Sequence, residues 1–256
     1  MNKKIIIGAI LFLLVGVILW FMIPRVMLYN AARELTETAF PEETHYEYFN
    51  QFNATYATGQ PTQTISFEGL SIDIPADWTL MDNGLQSSLS YESPDKSQRV
   101  ILLPPSYLTG YSLVSNQQVA ELTADLSYDV SLKRLEKGLS KLNIPMPDTA
   151  YATMKSALIL EKNNYSLFDI DKTIAYYIMG MLKSIESEYA LNYIYETEDI
   201  CATYHVSPSD DESSYKIAAD IFSSGNLDKA YGIVASVESE DTLYAIMNSV
   251  QINPAY

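Results

Sequence analysis

With 256 residues, 48% of them hydrophobic and 19% charged, the chain has the composition of an ordinary globular protein with room for one sizeable domain, which excludes a disordered or collagen-like polymer. Lys3, Lys4, Arg25 and Arg33 precede every acidic residue, so the remainder holds 12 basic against 32 acidic residues and carries a net −20. A field of that sign argues against nucleic acid as a partner, and Cys201, the single cysteine, excludes an intrachain disulfide or a zinc site built on several thiolates.

The first element is the uncharged run from Ile5 to Pro24, IIIGAILFLLVGVILWFMIP. As a helix rising about 1.5 Å per residue, it covers about 30 Å, the hydrocarbon thickness of a bilayer. Trp20 stands where an aromatic anchor meets the headgroups, and Gly8 and Gly16 are tolerated in such helices. A cleaved secretory signal has a shorter apolar region, about 7 to 15 residues, and a small-x-small cleavage site; Ala31 and Ala32 lie well beyond this run. The run therefore reads as an uncleaved signal-anchor. Lys3 and Lys4 are matched on the other flank by Arg25 and Arg33, but their placement at the terminus is that of an exported chain's basic start. The expected arrangement is a cytoplasmic stub of residues 1–4, a single-pass cell-membrane helix over 5–24, and a C-terminal domain outside the cytoplasm.

Residues 25–39 contain good helix formers and continue the helix as a stalk, and Pro41 to Thr64 is polar and rich in turn residues. Residues 25–62 are thus expected to be stalk and linker, and 63–256 an acidic domain. That domain opens with two short strands, TISFEG and LSIDIP, turning at Gly69 and ending at Pro75, with Leu70, Ile72 and Ile74 on one face. A second hairpin follows, SLSYES and RVILLP joined by SPDKS. The middle turns helical: Ser115 and Gln118 form a capping box ahead of Val119, Leu122, Leu126 and Val130. Leu132, Leu135, Leu139 and Leu142 repeat the stripe until Asn143, Pro145 and Pro147 stop it. Asp148 is expected to cap a helix through Leu160, and Ser166 with Asp169 to cap another carrying Ile170, Ile174, Ile178, Leu182 and Ile185. After Glu188 the period returns to two in ALNYIYE, ICATYHV, YKIAADIF and KAYGIVASV, and Ser239 caps a last helix with Leu243, Ile246 and Met247 inward. Strands, helices and strands again predict an α+β fold, a mainly antiparallel sheet with a helical middle insertion, preceded by one transmembrane helix.

The segment ISFEGLSIDIPADWTLMDN, running into SLSYESPDKSQRVILL, resembles the opening of PsbP-like and Mog1-like domains, in which a hairpin ends in a proline followed by a tryptophan; Ile74, Pro75 and Trp78 carry the likeness. The C-terminal YGIVASVESEDTLYAIMNSVQI is similar to the closing strand and helix of that fold. The resemblance covers residues 65–104 and 231–252. It implies a binding or accessory module of cell envelopes with residues 115–187 as an insertion, and it brings no catalytic residues.

Chemistry is sparse. Cys201 and His205 share a strand face but stand about 13 Å apart by the rise per residue, so they form no local nucleophile and base; they read as a small buried cysteine and a half-exposed histidine. His45 falls in the linker, and two histidines cannot make a three-histidine metal site. No G-x-S-x-G, phosphate-binding glycine loop or H-E-x-x-H is present. Asp210, Asp211 and Glu212 lack the alternation and glycine of a calcium loop and read as a solvated turn. Tyr176, Tyr177, Tyr193 and Tyr195, among 20 tyrosines, can build a partner surface. No catalytic, cofactor or metal residue is nominated. The expected function is a membrane-anchored extracytoplasmic interaction or accessory module. The alternatives are a cell-surface hydrolase using carboxylates, which requires a cleft with two acidic groups of mutually shifted pKa, and a structural subunit contacting its complex through Gly8 and Gly16.

Overall fold

The computed structural model of the chain describes residues 3–40, 45–49, 61–81, 87–108, 113, 116–124, 130–186, 191–208 and 213–253. It is a mixed helix and antiparallel-sheet protein with a long apolar helix at its N-terminus, as the alternation of periods predicts. The chain divides into two compact units: Met1–Phe40, Leu113–Met146 and Leu160–Ile185 form the first, and Pro41–Ser112, Pro147–Ile159 and Glu186–Tyr256 the second.

The first unit is helical: α1 (Lys3–Ala39), α2 (Asn116–Leu122), α3 (Leu132–Lys141) and α5 (Ile170–Glu186). At 37 residues α1 is about 55 Å long and runs through Pro24 without a break. It has two characters. From Phe12 to Ile23 apolar side chains are exposed all round, Phe12 at 80% and Trp20 at 79%, which suits hydrocarbon and not water. From Leu28 onward a stripe at intervals of four and three, Leu28, Ala32, Thr36 and Ala39, is buried. The segment expected to be a stalk is thus a packed helix of the first unit. Its partner is α5, which buries Ile174, Ile178 and Leu182 and lays Gly180 against Leu35.

Two helix ends show how the sequence sets these boundaries. Asn143 takes φ 58°, the Asn143 amide bonds to the Ser140 carbonyl (3.2 Å) and the Ile144 amide to that of Leu139 (3.0 Å), a Schellman closure of α3 before Pro145. At α5 the cap is Asp169 alone, whose Oδ1 accepts the Lys172 amide at 3.2 Å. Ser166 instead brackets Thr173, accepting its hydroxyl at 2.6 Å, so the expected Ser166–Asp169 box is corrected to an aspartate cap one residue before the helix. The expected cap at Ser115, with Leu126, lies outside the described residues.

The second unit is a two-sheet structure. The larger sheet holds eight strands in the order β1-β7-β8-β9-β10-β6-β5-β4: β1 (His45–Phe49), β4 (Thr79–Leu80), β5 (Leu89–Glu92), β6 (Arg99–Tyr107), β7 (Leu191–Glu196), β8 (Ile200–Pro208), β9 (Tyr215–Ser223) and β10 (Asn226–Val237). Every pair is antiparallel except β1 with β7. β1 falls inside the stretch read as a linker, and its partner β7 is found more than 140 positions later. The smaller sheet is β11-β3-β2, with β2 (Thr62–Phe67), β3 (Leu70–Pro75) and β11 (Gln251–Ile252). Its hairpin turns on Glu68 (φ 51°) and Gly69 (φ 97°), two successive left-handed residues that match the twist of tightly joined strands.

Strand alternation then decides the core. Ile200, Ala202, Tyr204 and Val206 of β8, Ile217, Ala219 and Ile221 of β9 and Tyr231, Ile233 and Ala235 of β10 line one face. They pack with Leu70, Ile72 and Ile74 of β3 and with Leu243, Ile246 and Met247 of α6 (Glu240–Asn248). Ser239 caps α6 as expected, accepting the Thr242 amide at 3.1 Å. On the opposite face α4 (Ala150–Leu158) sets Tyr151, Met154 and Leu158 against Ile194, Phe222 and Ala230. The cap of α4 is Thr149, not Asp148: Thr149 Oγ1 accepts the Ala152 amide at 3.2 Å, while Asp228 of β10 accepts the Ala150 amide at 2.8 Å. The helical middle is consequently not one insertion, because α4 belongs to the sheet unit.

Candidate functional site

Three constellations in the second unit carry polar side chains. One opening among the described residues is a cleft of about 700 Å³ at one end of the sheets. Its walls are the β7–β8 turn, with Thr197 and Asp199, the β9–β10 turn, with Ser224 and Gly225, and the edge strand β11, with Gln251; Tyr195, Val250 and Ile252 supply apolar surface. The turns are held by their own bonds. Thr197 donates its amide to the Ile200 carbonyl (2.8 Å), its hydroxyl accepts the Ile200 amide (3.1 Å), and the Ser224 amide bonds the Asp199 carbonyl (2.9 Å). The lining is one carboxylate among hydroxyls, an amide and a tyrosine ring, a set suited to holding a polar ligand by hydrogen bonds. A smaller opening of about 310 Å³ joins Pro75 and Trp78 to Ser93, Asp95 and Gln98. The Ser93 and Ser97 hydroxyls hold the Asp95 carboxyl below the usual range.

The second constellation is the polar face of the large sheet. His205 and Asn192 are cross-strand partners on β8 and β7, exposed only 2% and 1%, and His205 Nδ1 lies 2.6 Å from Asn192 Oδ1. Because a carboxamide oxygen only accepts, Nδ1 carries the hydrogen. Thr203, fully buried, stands two residues along the same face and opposite Asp220. The expectation of a half-exposed histidine is corrected: a hydrogen-bonded asparagine neighbour makes deep burial tolerable.

The third constellation surrounds Glu196, cross-strand partner of Cys201. Glu196 Oε1 accepts the Tyr151 hydroxyl at 2.8 Å and the Lys155 ammonium at 2.7 Å. Burial pushes the Cys201 thiol up and the Glu196 carboxylate adds to that, against the opposing Lys155 charge. The thiol is therefore held away from the thiolate form a nucleophile needs. His205 occupies the same strand face four positions on, and its ring is engaged by Asn192, not by Cys201.

The carboxylates with resolved shifts, Asp95, Asp169, Asp171 and Glu196, all move down. For Asp169 and Asp171 burial pushes upward, and Lys141 for the first, with Lys137 and Arg134 for the second, more than reverses it. A general acid requires the opposite sign. Among the described residues that line the 700 Å³ cleft, Asp199 is the acidic one, so they do not assemble the two-carboxylate cleft of a hydrolase there.

Among the remaining sequence candidates, Tyr176 is fully buried in the first unit, Tyr193 is buried in the sheet core, and Tyr195 reaches the cleft. Gly16 has open space around it, whereas the side of α1 at Gly8 and the side chain of His45 lie outside the described residues, as do Asp210, Asp211 and Glu212. Sequence reasoning missed the Tyr151–Lys155–Glu196 cluster, which depends on a strand meeting a helix some 40 positions away. It also passed over Lys183, which is 7% exposed and interrupts the apolar stripe of α5.

No family model matches the chain, and no curated protein matches it. Among solved structures, a crystal structure from Bacteroides thetaiotaomicron VPI-5482 is similar over 72% of this chain and 45% of that one, with 9% identity and a TM-score of 0.32. The chain spans less than half the length of that protein, and the likeness carries no argument about fold or function. None of these comparisons bears on the PsbP-like and Mog1-like resemblance.

Proposed function

We propose that the protein is a single-pass, membrane-anchored recognition module whose sheet unit is displayed outside the cytoplasm and takes a polar ligand or a protein segment at the 700 Å³ cleft. The observation that carries the reading is the lining of that cleft: Asp199, Thr197, Ser224 and Gln251 offer hydrogen-bonding groups around the ring of Tyr195, on turns fixed by their own hydrogen bonds. The anchor reading is supported by α1, long and apolar enough to cross a membrane and exposed along that half. The basic start, Lys3 and Lys4, favours export of the C-terminal region. An accessory role on an envelope accords with the hairpin around Pro75 and Trp78.

The test is photo-crosslinking in the protein's own cells, with benzoylphenylalanine placed at Gln251 in the cleft or at exposed Tyr107 as control. One stoichiometric adduct from Gln251 is expected; adduct yields at Gln251 no higher than at Tyr107 would overturn the cleft as the binding site. Protease added to intact spheroplasts is expected to remove the sheet unit, and complete protection would overturn the orientation.

A further inference from the structure

The direction of α5 along α1 fixes which end of the first unit faces the membrane. Lys183 sits over the Phe40 ring, Tyr176 bonds to Thr36, and Tyr165, ahead of α5, packs its ring 5.1 Å from that of Tyr29. Passing back from 183 to 165 therefore passes back along α1 from 40 to 29, toward its exposed apolar half. Tyr29 is five residues beyond Pro24, about 7.5 Å along the helix axis. The headgroup layer is about 5–8 Å deep on each side of the hydrocarbon. Tyr165 consequently lies at headgroup depth.

Three residues on, in the loop that leads into α5, Phe168 leaves 77% of its surface exposed. Ion pairs stand beside this loop. The helix α3 crosses the first turn of α5, where Arg134 and Lys137 meet Asp171 and Lys141 meets Asp169. Lys133 and Lys172 flank these pairs in sequence.

We propose that this loop is a second membrane contact: Phe168 inserts into the interface of the bilayer that α1 spans. The inference rests on the reading of α1 as a membrane span. Lipid is the occupant because Tyr165, three residues before Phe168, packs on Tyr29, five residues beyond Pro24, so an exposed aromatic side chain stands close to the level of the headgroups. Two contacts, one helix and one loop, fix the tilt of the first unit on the bilayer.

The experiment uses the full chain with Cys201→Ser in nanodiscs of phosphatidylcholine and phosphatidylglycerol, nitroxide-labelled at Phe168→Cys, Val17→Cys or Glu37→Cys. Collision with oxygen against a water-soluble nickel chelate reads depth. Val17 marks the span, and Glu37, exposed on α1 and about 20 Å beyond Pro24, marks water. The label at 168 is expected to favour oxygen several-fold over the label at 37. A water-like label at 168 beside a lipid-like label at 17 overturns this inference alone, and a water-like label at 17 overturns the span and the inference with it. A label-free check keeps the ring: in chain grown with 4-fluorophenylalanine, the resonance missing from Phe168→Leu is expected to broaden with headgroup spin-labelled lipid, and an unbroadened line overturns the proposal.

Discussion

Thr36 and Tyr176 join their hydroxyls at 3.0 Å across 140 positions of sequence, binding the packed half of α1 to α5. Thr36 donates to the Ala32 carbonyl at 2.8 Å, so Tyr176 donates to Thr36 and its own oxygen accepts the Asn163 amide at 3.3 Å. Every proton in this relay has one acceptor. Thr36→Val keeps the shape and strands the buried Tyr176 hydroxyl, at an expected cost of about 1–3 kcal/mol. Tyr176→Phe leaves Thr36 bonded to Ala32 and should cost less, and the double variant should cost less than the sum. Urea unfolding of the full chain in detergent measures all three, and strict additivity would remove the coupling.

Gly138 occupies the closest approach of α3 to α5. A Cβ there would lie 2.0 Å from the Asp171 carbonyl oxygen and 2.7 Å from the Ala175 Cβ. Glycine to alanine inside an exposed helix gains about 1 kcal/mol. At this position the sign reverses: Gly138→Ala must push α3 and α5 apart and is expected to lose about 3 kcal/mol. Adding Ala175→Gly relieves one clash and not the carbonyl, so it should restore only a fraction of the loss. Gly16→Ala, with open space around it, serves as the clash-free control in the same unfolding measurement and is expected to show no loss.

Local rules made most elements readable. Period-two runs mark β7 to β10, Ser239 announces α6, and Asn143 with Pro145 closes α3, because each signal is contained within a few residues. What escaped was non-local. β1 pairs with a strand more than 140 positions away, Asp148 and Thr149 are equally good caps until Asp228 of β10 is seen to assist Thr149, and the packing of residues 28–39 against α5 has no signature in the stalk itself. The cleft is the extreme case. Two turns and a two-residue edge strand make it, and none of these is distinctive in sequence.

Lys183 gives the first unit a pH response. Burial pushes its pKa down to about 8, with the ammonium 2.9 Å from the Leu160 carbonyl and 4.5 Å from the Phe40 ring centre. The unfolded chain holds this proton up to about 10.4, so between the two values the unfolded state binds more protons and stability rises with pH. The contribution is complete above the unfolded pKa and is lost as pH falls through 8. Relative to Lys183→Met, the natural chain should gain up to about 3 kcal/mol between pH 7 and pH 11. Chemical unfolding of both chains across that range reads the difference, and parallel curves would refute it.

Cys201 reports on the Glu196 cluster without perturbing it. Its thiol is pushed up first by burial and then by the Glu196 carboxylate, and down by the Lys155 ammonium that also bonds to that carboxylate. Removing the negative charge with Glu196→Gln should lower the thiol pKa and speed alkylation by iodoacetamide at pH 8, whereas Lys155→Met should slow it. Each change acts through the fraction of the thiol present as thiolate. The pH–rate profiles should shift in opposite directions, a pattern that simple loosening of the sheet cannot produce because it would accelerate both variants. Equal acceleration in the two would show that access, not charge, controls the thiol.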